Sequence, residues 1–139
     1  MRIAVVYYSQ TGNTEAMAEV IERTLEGKAE VVVIDPSLFS SGDLAGYDAF
    51  AFGCPAMGDE VLEEEVFEPM FSAIESGLAG KRIILFGSYG WGDGQWMRSW
   101  QERCAADEAL LVHEPVMANG APDDATAAEL GEAALALLL

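Results

Sequence analysis

The chain is predicted to be an α/β protein in which a parallel sheet carries helices on both faces. Apolar stretches recur at fairly regular intervals, and helical patterns lie between them. Most of the apolar stretches are continuous runs without strict alternation, which is typical of strands buried on both faces. Strands that alternate with helices across short connections indicate a parallel sheet. At 139 residues the chain is expected to form one domain, residues 1–139.

Five strands and four helices are predicted. The strands are Arg2–Tyr7, Glu30–Ile34, Ala49–Gly53, Arg82–Gly87 and Leu110–Met117. The helices are Glu15–Leu25, Leu62–Glu75, Gly94–Ala106 and Asp123–Leu138. Apolar residues of the first helix recur at helical spacing, and Gly27 is a natural stop. The segment Pro36–Tyr47 is expected to hold at most a turn or two of helix.

The charge argues strongly against two classes of partner. The net charge is −17, and residues 29–80 contain eleven acidic residues and no basic one. Such a surface disfavours nucleic acid and anionic membranes. It suits basic partner proteins but also aids solubility, and charge alone leaves both interpretations open. With two cysteines, no signal segment and no membrane-length apolar run, a cytoplasmic protein is expected. A monomer is the simpler expectation for its oligomeric state.

The turn after the first strand is rich in hydrogen-bond donors. This phosphate loop consists of Ser9, Gln10, Thr11, Gly12, Asn13 and Thr14. It joins a buried strand to a helix, so backbone N–H groups and the positive end of the helix dipole converge on it. It lacks the lysine of a Walker A loop and the glycine pattern of a dinucleotide fingerprint. A site for a phosphate monoester is therefore predicted.

Two further loops are expected at the same edge, because ligands of such sheets bind outside the carboxyl ends of the strands. The middle loop, residues 53–60, follows the third strand, and the third loop, residues 87–94, follows the fourth. Each contains glycines and presents one large soft side chain, Met57 or Trp91. Glycines on both sides of Trp91 leave it without sequence neighbours to pack against. The loops therefore predict a slot for an aromatic ring system with a phosphate tail.

These three loops resemble those of the short-chain flavodoxins, in particular the anaerobic bacterial type. The resemblance is carried by Val5, Val6, Tyr7, Ser9, Gly12, Thr14, Ala18 and Ile21, by Ala56–Glu60 and by Gly87–Gly94. Gln10 departs from the family pattern, since many relatives have glycine there. The similarity runs from the first strand to Trp100 and continues weakly beyond it.

The resemblance implies a flavodoxin-like, doubly wound sheet of five strands in the order 2-1-3-4-5, with non-covalent FMN as the cofactor. The residues implied to bind FMN are Ser9, Gln10, Thr11, Gly12, Asn13, Thr14, Ala56, Met57, Gly58, Asp59, Glu60, Ser88, Tyr89, Gly90, Trp91, Gly92 and Asp93. Met57 and Trp91 are implied to enclose the isoalloxazine ring, and Glu60 to accept its N3–H. The Gly58 peptide is implied to turn over, so that its carbonyl accepts the N5 proton of a neutral semiquinone.

The implied function is that of a low-potential one-electron carrier between redox enzymes with basic docking faces, without a metal or a substrate turnover of its own. Two alternatives stay open: an FMN-dependent reductase that uses a nicotinamide nucleotide, and an FMN storage or light-sensing protein. A phospho-receiver domain is excluded. It needs an acidic pair after the first strand, whereas Tyr8–Ser9 stands there, and an Asp and a Lys where Gly53–Cys54 and Gly87–Ser88 stand.

Several chemically notable residues are not assigned to the site. Trp96 and Trp100 are expected to pack in the core, being four residues apart on a helix. The acidic run Glu63–Glu65 with Glu68 is either a solvated helix face or a docking surface. Cys54 has no nearby base or second cysteine, and His113, expected on the last strand, has no catalytic partner.

Overall fold

The computed structural model describes residues 1–138 of the chain. Its strands, in chain order, are β1 Arg2–Tyr7, β2 Glu30–Ile34, β3 Ala49–Gly53, β4 Arg82–Tyr89, β5 Leu110–Leu111 and β6 Val116–Asn119. They pair in the order β2-β1-β3-β4-β5, β6 also pairs with β4, and every pair is parallel. The predicted doubly wound parallel sheet is confirmed.

Helices cover both faces of this sheet. They are α1 Asn13–Leu25, α2 Phe67–Ile74, α3 Gln95–Ala106 and α4 Asp124–Ala136, with short 3-10 helices at Pro36–Leu38, Ser41–Gly46 and Glu75–Gly77. The bounds of α1, α3 and α4 agree with the sequence prediction to within two residues. The expected turns of helix between β2 and β3 are also present.

The prediction of α2 was wrong at its start. The sequence pattern suggested Leu62, whereas the helix begins at Phe67. Pro69 explains the difference, because a proline deep inside a helix lacks the N–H for an i→i−4 bond and its ring clashes with the preceding turn. In the helix that forms, Pro69 lies in the first turn, where its missing N–H costs nothing.

The predicted fifth strand is divided into two. β5 pairs with the beginning of β4 at Arg82, and β6 pairs with its end, from Phe86 to Tyr89. Residues 112–115 between them leave the sheet, and Pro115 has no N–H to donate to a strand ladder. His113 was expected to lie on the last strand. It lies instead between β5 and β6. Its Nδ1 is 2.8 Å from the Glu114 carbonyl oxygen.

Alternation in β3 separates two hydrophobic clusters. Phe50 and Phe52 join the cluster formed with α2 and α3, whereas Ala49 and Ala51 join the cluster formed with α1 and α4. Side chains of successive strand residues point to opposite faces, so this one strand contributes rings to one face and methyl groups to the other.

The strand register brings the three predicted loops to one edge of the sheet. Tyr7 at the end of β1 pairs with Gly53 at the end of β3, and Gly53 pairs with Phe86 of β4. Backbone hydrogen bonds continue beyond the strands: the Cys54 N–H donates to the Phe86 carbonyl at 3.1 Å, and the Ala56 N–H to the Ser88 carbonyl at 2.9 Å. The middle and third loops thus leave the sheet side by side.

Candidate functional site

The phosphate loop leaves a group of backbone donors free. Among residues 1–138, the N–H groups of residues 10–14 find no internal acceptor. Gly12 has φ 97° at the start of α1, a conformation that glycine adopts without steric cost. The Ser9 hydroxyl oxygen accepts the Glu15 N–H at 3.2 Å, so its own proton is available to a ligand. The arrangement is a set of neutral donors at a helix N-terminus, which suits an anion.

A pair of buried hydroxyl groups joins the phosphate loop to the third loop. Thr14 Oγ1 lies 3.0 Å from Ser88 Oγ, and the two residues are 1% and 5% exposed. Each hydroxyl has one proton and two lone pairs, so this bond leaves one of the two protons unused. Thr14 therefore lies against the third loop, which the sequence pattern did not indicate.

The middle loop turns sharply at Gly58. The Glu60 N–H donates to the Met57 carbonyl at 2.8 Å, and the Met57 N–H donates to the Val61 carbonyl at 3.1 Å. Gly58 and Asp59 occupy the exposed centre of this turn. An added Cβ at Gly58 would find no other atom within 4 Å. The turn thus fixes its two ends and leaves the Gly58 peptide unobstructed.

Glu60 bridges the middle and third loops. Its backbone adopts φ 54°, which is uncommon for a residue with a side chain. A Cβ at Gly92 would collide with the Glu60 carboxylate, lying 2.8 Å from its Cδ, so the absence of a side chain at Gly92 makes this approach possible. Within residues 1–138, Glu60 Oε1 is buried without a hydrogen-bond partner. A buried acceptor of this kind indicates a donor supplied by a ligand or by solvent.

Met57 and Trp91 remain outside both hydrophobic clusters of the described chain. Met57 is half-buried, and Trp91 is 70% exposed. Gly92 at φ 94° and Gly94 at φ 89° shape the backbone after Trp91. An exposed tryptophan on a glycine-rich loop is available for contact with a planar ligand or with another protein.

A cavity of about 200 Å³ connects the three loops. It is lined by Gln10, Thr11, Asn13, Thr14, Pro55, Ala56, Ser88, Tyr89, Gly90 and Gly120. A larger cleft of about 600 Å³ lies beside the phosphate loop, where Tyr7, Asp35 and Val66 contribute to its wall. The smaller cavity matters for the predicted site, because residues of all three loops line it.

The two core tryptophans confirm the packing expected from their spacing, and one also supports the site. Trp96 and Trp100 are each 1% exposed. The Trp96 Nε1–H donates to the Cys54 carbonyl at 3.1 Å. A Cβ at Gly87 would collide with that same carbonyl, so the end of β4 and the start of the middle loop are in direct backbone contact.

Cys54 has a structural role that its sequence neighbours did not reveal. Its thiol is fully buried, and its Sγ accepts the Glu63 N–H at 3.4 Å. Burial raises the pKa of this thiol to about 12, so it stays protonated at neutral pH. Cys54 therefore holds the chain that follows the middle loop.

The acidic run after the middle loop is not a uniform solvated face. Glu63 is 5% exposed, and its carboxylate accepts the N–H groups of Glu65, Val66 and Phe67 at 2.7–2.8 Å. It thereby satisfies donors at the start of α2. The Glu68 carboxylate pairs with Arg103 at 2.8 Å. Glu64 and Glu65 are the exposed members. The sequence carries a signal for this cap that the prediction missed. The signal is a Glu four residues before the start of a helix whose first turn contains proline.

Two features of the described chain bear on the class of protein. No helix within residues 1–138 has the length and apolarity needed to cross a bilayer. In the same residues, His, Cys, Asp and Glu side chains form no group of three that could hold a metal ion.

Comparison with known proteins agrees with this geometry. The sequence profile of the flavodoxin family matches residues 5–133. The flavodoxin of Clostridium beijerinckii is 45% identical over 122 residues, which cover 87% of this chain and 88% of the relative. The flavodoxin of Megasphaera elsdenii is 44% identical over 134 residues, which cover 95% and 97%.

A solved structure shows the same fold. The solution structure of two-electron reduced Megasphaera elsdenii flavodoxin matches with a TM-score of 0.86 at 42% identity, covering 95% of this chain and 97% of that one. The profile match includes the fifth-strand region and most of α4, where the sequence resemblance was weak. The chain therefore belongs to the flavodoxin family, whose members are flavin-containing electron-transfer proteins.

Proposed function

We propose that this protein binds FMN non-covalently as a single domain and carries one electron at a time between redox enzymes. The observation that carries the proposal is the meeting of three loops at one sheet edge, with phosphate-loop donors at one end and the unpartnered Glu60 carboxylate at the other. FMN supplies the electron chemistry when bound, and the chain's own residues bind it, orient it and adjust its potential.

The phosphate loop would hold the FMN phosphate without a cation. The free N–H groups of residues 10–14 and the Ser9 hydroxyl support this role. The Thr14–Ser88 pair supplies one further proton from a buried position. Neutral donors leave the phosphate charge uncompensated, so the cofactor site keeps a negative potential.

The ring would lie between Met57 and Trp91, which take no part in the core of the described residues. The buried Glu60 Oε1 is a suitable acceptor for the N3–H of the ring, because a carboxylate oxygen in a desolvated site gains most from an N–H donor. The backbone from Tyr89 to Gly92 would meet the pyrimidine edge. The role of each residue in the three loops is part of this proposal.

Gly58 would favour the one-electron-reduced flavin. Its position at the exposed centre of the turn supports a peptide that can reverse direction, since glycine reaches positive φ at little steric cost. A carbonyl that accepts the N5 proton contributes roughly 1 kcal/mol. Because about 1.4 kcal/mol shifts an equilibrium tenfold, one such bond changes the population measurably.

The surrounding charge would oppose the second electron. An added negative charge near the phosphate and the carboxylates costs on the order of 2 kcal/mol for each unit charge at about 8 Å, at an effective dielectric constant near 20. The overall charge of −17 supports this direction. Together with the Gly58 carbonyl, it separates the two one-electron steps and makes a low-potential carrier.

The same charges would guide docking. Asp59, Glu64, Glu65 and Asp93 are exposed in or shortly after the middle and third loops, and Trp91 of the third loop is also exposed. They suit a redox partner with a basic face, and attraction of this kind weakens as salt screens it beyond ~8–10 Å. The proposal also includes that the protein is a cytoplasmic monomer and that it has no substrate turnover of its own.

Reductive titration of the purified protein with FMN tests this function. We expect tight FMN binding, a populated one-electron-reduced form and a low second potential. A colourless protein that takes up no added FMN would contradict the proposal. Steady NADPH consumption by the protein alone would favour a reductase instead, and a flavin without a stable one-electron-reduced form would favour storage or light sensing.

Gly58→Val tests the peptide turnover. A Cβ added at residue 58 would meet no other atom of the described chain within 4 Å, so the substitution acts on backbone conformation without a clash of that Cβ with the chain. We expect the yield of one-electron-reduced flavin to fall more than the affinity for oxidised FMN. Gly42→Val, at an exposed glycine outside the site, is the matched control. Equal yields in all three proteins would rule out the mechanism.

A further inference from the structure

Arg98 holds the third loop from one turn inside α3. Its Nη1 donates to the Asp93 carbonyl at 2.8 Å, and its Nη2 donates to Gln95 Oε1 at 3.0 Å. The same Nη2 lies 3.2 Å from Asp93 Oδ1. One guanidinium therefore contacts the chain on both sides of Gly94, where the loop becomes the helix.

The junction between the third loop and α3 depends on contacts of this kind. Gly94 caps α3 in a left-handed conformation, and it provides no side-chain hydrogen bond to the helix N-terminus. Gly92 also has positive φ. Glycines lose more conformational freedom on ordering than other residues, so a loop with four of them depends on contacts from outside. Arg98 supplies them from a helix that the buried Trp96 and Trp100 fix to the core.

Two carboxylates meet at the place that Arg98 holds. Hydrogen bonding and attraction from Arg98, with a further contribution from the Glu60 carboxyl, keep the pKa of Asp93 below its ordinary range. Glu60 lies against Gly92, the residue before Asp93. Arg98 thus stabilises the ionised Asp93 carboxylate next to Gly92, the residue that Glu60 contacts.

We propose that Arg98 is a positioning residue for the flavin site: its guanidinium anchors the third loop at Asp93 and Gln95, and so keeps Gly92 against Glu60. The inference rests on the proposed function, because the geometry it preserves is that of Trp91 and Glu60 around the ring. Without Arg98, the backbone on both sides of Gly94 loses these contacts, and the third loop is no longer held in one position.

FMN binding to four variants tests the proposal. We expect Arg98→Gln to weaken FMN binding about fivefold, the upper range for an exposed ion pair. Arg23→Gln removes an exposed arginine of α1 with the same change in net charge, and it should stay within twofold of the original protein. Arg98→Lys keeps the charge and loses the fork, so it should weaken binding less than Arg98→Gln.

A double variant tests whether net charge alone explains the loss. Glu102→Gln added to Arg98→Gln restores the net charge at an exposed residue of the same helix, and it should not restore FMN binding. Full recovery in this double variant, or equal loss in Arg98→Gln and Arg23→Gln, would overturn the proposal in favour of a general charge effect.

Amide hydrogen exchange in the apoprotein separates this inference from the function on which it rests. We expect residues 90–94 to exchange several-fold faster in Arg98→Gln than in the original protein and in Arg23→Gln. If the original protein bound no FMN, the proposed function would fail while this measurement still decided whether Arg98 holds the loop. Unchanged exchange in Arg98→Gln would overturn the positioning role.

Discussion

The two faces of the sheet are packed in different ways. On the face covered by α2 and α3, aromatic rings meet: Phe50 and Phe52 stack at 5.8 Å between ring centres, and Phe67 meets Trp100 edge-on at 5.4 Å. On the face covered by α1 and α4, Phe86 is the one buried aromatic residue of the described chain; the other buried residues are mostly aliphatic, and many are alanines. The aromatic face fills its space with large rigid rings, and the aliphatic face fills it by close approach of helices.

The two ends of the candidate site are connected to different faces of the sheet. The phosphate loop leads into α1 on the aliphatic face, whereas the chain from the middle and third loops leads into α2 and α3 on the aromatic face. The site therefore lies where the chain changes faces, which is where doubly wound sheets bind their ligands. Buried polar contacts support the aromatic side in particular, through Glu63 and Trp96.

The largest effect is expected from truncating the aromatic face. Phe52→Ala removes a fully buried ring between Phe39, Phe50 and Phe71, and we expect the free energy of unfolding to fall by about 3–5 kcal/mol. Ala51→Leu, the neighbouring change on the aliphatic face, should cost about 1–3 kcal/mol through overpacking. Urea unfolding measures both, and an Ala51→Leu protein of unchanged stability would show that the aliphatic face is loosely packed.

Glu63→Ala tests the polar support of the aromatic face. Three backbone N–H groups lose their acceptor, and we expect a loss of about 2 kcal/mol at pH 7. Exposed Glu64→Ala is the control and should change stability by less than about 0.5 kcal/mol. Equal losses in the two variants would show that the cap contributes nothing.

The contribution of Glu63 should also depend on pH. Burial acts to raise its pKa, but the N–H groups of Phe67, Val66 and Glu65 outweigh burial and hold the pKa below its ordinary value. Because the folded-state pKa is lowered, this stabilisation is complete above the unfolded pKa near ~4.3 and is lost as the pH falls through the folded value. The difference between Glu63→Ala and the original protein should therefore shrink in acid.

Asp107→Asn should stabilise the same face. Burial, together with hydrogen bonding and repulsion from Glu75, raises the pKa of Asp107 to about 6. A raised folded-state pKa means that the ionised carboxylate disfavours folding above pH 6, and the penalty disappears as the pH falls towards ~4. We expect a gain of about 0.5–1 kcal/mol at pH 8 and none at pH 4, measured by urea unfolding. Glu102→Gln is the matched control, and a gain independent of pH would contradict the explanation.

Gly131→Ala should produce an equally small effect, on the aliphatic face. Gly131 lies inside α4, and an added Cβ would be 3.6 Å from Thr24 Oγ1 of α1, an ordinary contact distance. We expect a gain of about 0.5–1 kcal/mol, since alanine has the higher helix propensity. Gly120→Ala, at φ 79°, should destabilise instead. A loss in Gly131→Ala would show that α1 and α4 pack too closely for a methyl group.

Most of the fold followed from the sequence, and the two errors have local causes. Continuous apolar runs predicted β1 to β4, because strands buried on both faces need them. The start of α2 was misplaced because the apolar pattern was weighed above Pro69. The division of β5 from β6 was missed because Pro115 and its neighbours interrupt the pairing without interrupting the apolar pattern.

The sequence predicted less of the candidate site than of the fold. The donors of the phosphate loop could be predicted, since a polar turn between strand and helix presents free N–H groups wherever it occurs. Contacts between loops could not, because they join residues far apart in the chain. The Thr14–Ser88 pair and the contact of Glu60 with Gly92 are examples.

By itself, the sequence determined the alternating elements, the phosphate loop and the family, because periodicity, turn chemistry and local motifs are properties of neighbouring residues. Only the tertiary structure decided which acidic residues are buried, which hydroxyls meet and how Arg98 holds the third loop. Those outcomes depend on strand register and on packing between distant segments, and no local pattern encodes either of them.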